Sequence, residues 1–264
     1  MFSTLVLCES LEAGELPSSN GYQLMSMFAR RFAATPLASV WHGEEASKAF
    51  TLSRMMPLEA WEDPDGRQHA GGAHPAGTYF AFRVTFLSDG LEELFLAASR
   101  DLRFALDRQG RYALRGSAPL GRCRWACRST PEALGEGVPL EGVSLRFLAP
   151  TGFKSGGLQM LFPLPRLLFG GLLNRWRTFV DAEAWPGLEE ELEGVAVASY
   201  VLETQAVRGK EGSVLRGCVG QARYDFSGLA PESARACGVL ARFAFFSGVG
   251  YKTTQGMGQV VPEA

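Results

Sequence analysis

Three side chains in this sequence ordinarily titrate near neutrality: His42, His69 and His74. An imidazole can take or give a proton at physiological pH, as acid–base catalysis demands. His69 and His74 stand five apart in WEDPDGRQHAGGAHPAG (61–77), a Gly/Pro-rich stretch that reads as a mobile loop. With no carboxylate cluster beside them they read as surface residues, not metal ligands. The second chemically suggestive stretch is SGVGYKTTQGMGQV (247–260). Gly248, Gly250, Gly256 and Gly258 are spaced G-x-G-x5-G-x-G, with Lys252, Thr253, Thr254 and Gln255 between them. A nucleotide-gripping loop needs G-x-x-x-x-G-K-[ST] after a strand and opening a helix. Here a helix precedes, a strand follows, and Tyr251 interrupts the mimicry of GKTT. Two readings stay open on the residues alone. Consecutive backbone N–H groups could turn inward as an anion-binding concavity, or Gly248 could cap a helix before a flexible turn.

The net charge of −2 argues against a nucleic-acid binder only if the charges are mixed, and they are segregated. Residues 181–193 carry six acids and no base, whereas residues 100–128 carry eight arginines against Asp101 and Asp107. In GRCRWACR the alternation predicts a strand with Arg122, Arg124 and Arg128 on one face and Cys123, Trp125 and Cys127 on the other. Such a row could grip phosphates or simply solvate a sheet edge. Arg146, Lys154, Arg175, Arg208, Lys210, Arg216 and Arg223 are further cations of the same kind. Five scattered cysteines predict free thiols and a cytoplasmic chain. Cys123 and Cys127 lack the second pair that zinc requires, so neither a metal nor a cofactor is expected. No apolar run approaches the ~18 residues of a membrane span. MFSTLVLCES reads as a first strand, not a signal peptide.

These residues need a scaffold. Apolar β-prone residues predict a strand over 2–8. Leu24, Met25, Phe28 and Phe32 recur at helical spacing, and Pro36 closes that helix. KAFTLS (48–53) and TYFAFRVTFL (78–87) read as strands, SDGLEELFLAASR as a helix, and LRFALDRQGRYALRG as a hairpin. From GVSLRFLAP onward the same order returns: strand, helix from Pro165, two strands, helix from Pro231, and a short strand in GQVVP. The plan is an α+β chain of two tandem ferredoxin-like βαββαβ domains, residues 1–118 and 119–264. The aromatic signature of an RNA-recognition motif is absent, so base stacking on an open sheet is not expected.

Two segments carry a resemblance. FSGVGYKTTQGMGQV resembles the C-terminal glycine-rich loop of the CRISPR repeat-processing endoribonucleases of the RAMP superfamily. LRFLAPTGFKSGGLQMLFPLPRLLFGGLLNRWRTF resembles that family's strand, SPT-x-F, FP-x-P and helix-RW signature, with Ala149 where serine is common. The first half matches mainly in layout and in HGEEASKAFTLS. The resemblance implies metal-independent cleavage of CRISPR precursor RNA within its repeats. A ribose 2′-hydroxyl attacks the adjacent phosphorus, leaving a 2′,3′-cyclic phosphate and a 5′-hydroxyl. It further implies His42 as general acid or base, with Lys48, in the pattern His-x5-Lys, as electrostatic stabiliser. Tyr22 is the candidate third member; its spacing to His42 departs from the family's, and Arg30 or Arg31 could serve instead. The glycine loop, with Lys154 and the arginine row, is implied as the RNA-binding surface. The partner is repeat RNA, both precursor and processed guide. A homodimer and hand-over to an effector complex stay open. The alternative reading is a non-catalytic RAMP-type RNA-binding subunit, in which His42 is idle.

Overall fold

The computed structural model describes residues 1–42, 48–62, 72–106 and 110–263, with His42 and Glu211 described by their backbone alone. The chain forms two compact units: Met1–Arg128 with Val207–Val214 and Thr254–Gly256, and Ser129–Ala206 with Leu215–Thr253 and Met257–Ala264. The first unit therefore runs past residue 118, and two later segments return to it.

In the first unit the order is β1 (Phe2–Ser10), α1 (Asn20–Phe32), α2 (Ala38–His42), β2 (Phe50–Leu52), β3 (Tyr79–Phe86), α3 (Leu91–Ser99), β4 (Arg103–Ala105) and β5 (Arg111–Ser117). The antiparallel sheet runs β2-β3-β1-β5-β4, with β1 central and in register from Phe2↔Phe86 to Glu9↔Tyr79. That is the ferredoxin-like plan with β4 added as a hairpin. Leu24, Phe28 and Phe32, one helical turn apart, line the buried face of α1. They meet Trp41, Phe50, Phe82, Phe86 and Phe95 in one core. Trp41 stacks on Phe50 at 4.0 Å and meets Phe32 edge-on at 4.8 Å. Burying an indole stabilises a core by several kcal/mol. Here it also fixes α2, whose last residue is His42.

Two expectations for this unit need correction. His74 is not a surface residue: it is only 8% exposed. Ala73–His74 pairs with Gly14–Glu15, and the imidazole Nε2 lies 3.0 Å from the Tyr112 hydroxyl, with the ring edge-on to Phe80. A hydrogen-bond partner inside the core makes that burial tolerable. Burial also pushes the Tyr112 phenol up to about 12. His69 lies outside the described residues. The second correction concerns GRCRWACR, which is a closed turn in which only Cys127–Arg128 pairs with β1. Gly121 N–H donates to Ala126 O, and Trp125 turns inward, donating from Nε1 to Trp61 O. The indole's drive to bury overrides the two-residue alternation. Arg122, Arg124 and Arg128 therefore share no strand face, and Cys123 and Cys127 are only half-buried.

The second unit repeats the plan with α4 (Pro131–Gly135), β6 (Gly142–Thr151), β7 (Phe153–Ser155), β8 (Leu158–Met160), α5 (Pro165–Phe179), β9 (Ala196–Arg208), β10 (Val214–Asp225), α6 (Pro231–Ser247) and β11 (Val260–Glu263). Its sheet runs β9-β10-β6-β11. Val143, Leu145 and Phe147 are buried, as alternation along β6 requires. Both long helices start with proline in the first turn, where a missing N–H costs no hydrogen bond. The fold is thus two tandem ferredoxin-like domains. All five cysteines are free. Among the described residues no helix is long and apolar enough to cross a membrane.

Candidate nucleic-acid interface

The glycine-rich stretch begins where α6 stops. Gly248, at φ 66°, caps the helix by donating its N–H to Ala244 O. The C-cap reading is therefore correct for this residue, but the rest of the stretch is no flexible turn. Tyr251 N–H donates to Gly152 O, Gly258 N–H to Pro150 O, and Val249 N–H to Gly258 O. Pro150–Phe153, a short part of the 145–179 segment that carries the family resemblance, is thus laced by its backbone to the glycine-rich stretch. Gly250 and Gly258 are required by that lacing. Both have positive φ, and an added methyl would sit 2.2 Å from Gly152 O at the first and 2.1 Å from Val249 O at the second.

Side chains complete this part of the second unit. Arg175, on α5, is buried and donates from Nη1 to Thr253 Oγ1 at 3.0 Å. Burial lowers its pKa to about 10. Gln159 Nε2 donates both to the Tyr251 hydroxyl and to Arg216 O. Burial raises the Tyr251 phenol, with the Gln159 amide pulling the other way. Lys154, exposed on β7, brings its ammonium 6.0 Å from the centre of the Tyr251 ring. Lys154, Arg175, Gly250 and Tyr251 line a cavity of about 170 Å³. A small cavity lined by two cations offers binding to an anion, while the loop's own amides of Gly248, Val249 and Tyr251 are taken up by protein carbonyls. Lys252 has φ 57° and is half-exposed.

Residues 254–256 belong to the first unit. Gly256 N–H donates to Leu52 O at the end of β2. Gly21, in the first turn of α1, lies so close that an added methyl would sit 2.5 Å from Gln255 O. Asn20 ties the same corner, donating to Pro17 O and accepting from Met55 N–H. Thr254 and Gln255 are half-buried beside it. Tyr22 follows Gly21 and is half-exposed. Lys48 is half-buried ahead of β2. His42 ends α2; its side chain lies outside the described residues.

The arginine row fares differently. Arg122 is exposed in the turn. Arg124 lies over the Trp125 ring at 4.5 Å. Arg128 is paired with Glu92 and lies over Phe2. Among the described residues no group of three or more His, Cys, Asp or Glu side chains could hold a metal ion.

Sequence reasoning missed Gly21, Arg54 and the Gln159–Tyr251 pair. Arg54 carried a signal, since it is the one charge inside the otherwise uncharged run AFTLSRMMPL. Gln159 carried none, because its contact is with a residue ninety-two positions away.

Known proteins share this arrangement. The model of the family described as CRISPR-associated endoribonuclease Cas6 matches residues 145–260. A Cas6 endoribonuclease of Streptococcus thermophilus is 31% identical over 125 residues, 44% of this chain and 49% of the relative. One of Mycobacterium tuberculosis is 33% identical over 123 residues, 44% of this chain and 37% of the relative. The matched stretch thus spans half or less of those relatives' length. Solved structures match throughout: a Cas6 product complex at 29% identity and TM-score 0.81, and a Cas6 substrate-mimic complex at 28% and 0.72, each covering 100% of both chains. The signature segments and the end-to-end fold match lead to one conclusion: by sequence the second half of the chain, and by fold both units, resemble the CRISPR-associated endoribonucleases of the Cas6 family.

Proposed function

We propose that this protein is an endoribonuclease that cuts CRISPR precursor RNA within its repeats without a metal. The observation that carries this reading is the lacing of 247–260 onto Pro150–Phe153. A glycine-rich loop held rigidly by its own backbone bonds, with Lys154 and Arg175 beside it, suits a ribose-phosphate strand. The Cas6 chains that match it end to end include product and substrate-mimic complexes.

The reaction is a transesterification. The ribose 2′-oxygen loses its proton to a base and bonds to phosphorus. The bond from phosphorus to the 5′-oxygen breaks, and that oxygen takes a proton from an acid. The products are a 2′,3′-cyclic phosphate and a 5′-hydroxyl. His42 is assigned as the acid or base and Lys48 as the cation facing the phosphoryl oxygens. Tyr22 is the third candidate, placed in the same unit at the start of α1. A positioned acid or base contributes about 10²–10⁴ in rate.

The test is cleavage of the repeat RNA of the source genome in EDTA. The expected result is a single cut with a cyclic phosphate at the new 3′ end. His42→Ala is expected to slow that cut by about 10²–10⁴-fold while leaving RNA affinity within a few-fold. Uncut RNA with the wild type, or a rate unchanged by His42→Ala, would overturn the assignment.

A further inference from the structure

The corner of the first unit where residues 254–256 meet α1 holds a group that nothing so far explains. Arg54 follows β2 by two residues and is only 4% exposed. Its side chain crosses the face of Gly256: a methyl there would sit 2.5 Å from Arg54 Cγ and 3.3 Å from Gly21 Cα. Its Nε finds no hydrogen-bond partner, and among the described residues no carboxylate pairs with it. The contrast with Arg83 in the same unit is direct. Arg83 is just as deeply buried, yet its Nε donates to Ser3 Oγ and its guanidinium lies over Trp125. A guanidinium withdrawn from water without a counter-charge is destabilising, and a well-packed apolar residue in its place is often better tolerated. A fold does not need such a group, but an anionic ligand does.

The surroundings point the same way. Ser19 precedes α1 without capping it; its hydroxyl accepts from the Gln23 side chain instead. The positive end of a thirteen-residue helix is therefore left without a side-chain acceptor, and its Gly21 packs against the same face of Gly256 as the Arg54 stem. Asn20 locks the two together through its bond from Met55 N–H. Gly256, without a side chain, leaves Arg54 its path over the loop.

We infer that Arg54 and the first turn of α1 form a phosphate-binding site in the first unit, taking one phosphodiester group of the RNA. The RNA half of this statement rests on the function proposed above; the phosphate half does not. Arg54 is a binding residue in this scheme, since it supplies the fork and charge that hold a phosphate group.

Two measurements on the full-length protein separate the halves. In the first, inorganic pyrophosphate is titrated into wild type, Arg54→Met and Arg54→Lys while melting temperature is followed. Wild type is expected to rise with pyrophosphate, Arg54→Lys to rise less, and Arg54→Met not at all. The ligand-free Arg54→Met protein is expected to melt no lower than wild type. In the second, affinity for repeat RNA is measured against salt. Arg54→Met is expected to bind about tenfold more weakly, with a salt slope smaller by about one. Equal pyrophosphate response and equal salt slope in Arg54→Met and wild type would overturn the site. So would an Arg54→Met protein that fails to fold, because Arg54 would then be holding the structure. If pyrophosphate acts through Arg54 but wild type binds no RNA, the site stands and the proposed function falls.

Discussion

Each unit contributes a buried arginine to the glycine-rich stretch, and the two are treated in opposite ways. In the second unit Arg175 reaches Thr253 with a 3.0 Å hydrogen bond and so takes part in holding the loop. In the first, Arg54 lies over Gly256; both Nε atoms lack a partner, but Arg54 has no counterpart to the Nη1 bond among the described residues. Burial lowers the pKa of both. The difference is therefore one of partners, not of depth. A buried cation with a protein acceptor is part of the scaffold; one without is a vacancy for charge from outside. The same division runs through the backbone. The second unit laces its share of the loop with several N–H bonds, while in the first residues 254–256 are held by the Gly256 N–H bond to Leu52 O and by close packing on Gly21.

The hardest blow to that contrast falls on the lacing. Gly250→Val places a branched side chain at positive φ and into Gly152 O. It is expected to cost about 3 kcal/mol or more in urea unfolding. A loss below ~1 kcal/mol would mean the lacing is loose. On the other side, Gly21→Ala sharpens the picture because the two effects oppose each other. Alanine favours the helix by up to about 1 kcal/mol, yet its methyl meets Gln255 O. A net loss of about 1–2 kcal/mol is expected; a net gain by the same measurement would show that the first unit does not grip the loop. The smallest effect tests the arginines directly. Arg175→Met is expected to destabilise by about 1 kcal/mol through the lost bond to Thr253, whereas the same change at Arg54 brings no loss. An equal loss at both positions in thermal melts would erase the distinction.

Much of this was legible in the sequence. Helical spacing gave α1 and its buried stripe, alternation gave β3 and β6, and the order of elements gave both ferredoxin-like units. Local patterns report which face of an element is apolar, and that is enough for a layout. They failed where a distant partner decides. His74 reads as a loop residue until Tyr112, thirty-eight positions on, supplies its hydrogen bond. Arg122, Arg124 and Arg128 read as a strand face until the Trp125 indole finds the Trp61 carbonyl and folds the segment inward. At the site, glycine spacing exposed the loop, while Gly21 stayed hidden because a glycine in a helix announces no contact by itself. The residues proposed for the chemistry, Tyr22, His42 and Lys48, came from resemblance rather than from pattern.

Strand β6 contains an irregularity whose effect reaches the loop. Between Phe147 and Thr151 it advances four residues while β10 advances only two, from Gly220 to Cys218. The surplus residues leave the ladder, and one of them, Pro150, turns its carbonyl to Gly258. A proline cannot donate to a neighbouring strand, so the slip costs the sheet little at that point. Shortening β6 by two residues there would restore an unbroken ladder and leave the Gly258 N–H without its acceptor. The sheet's flaw is the loop's anchor.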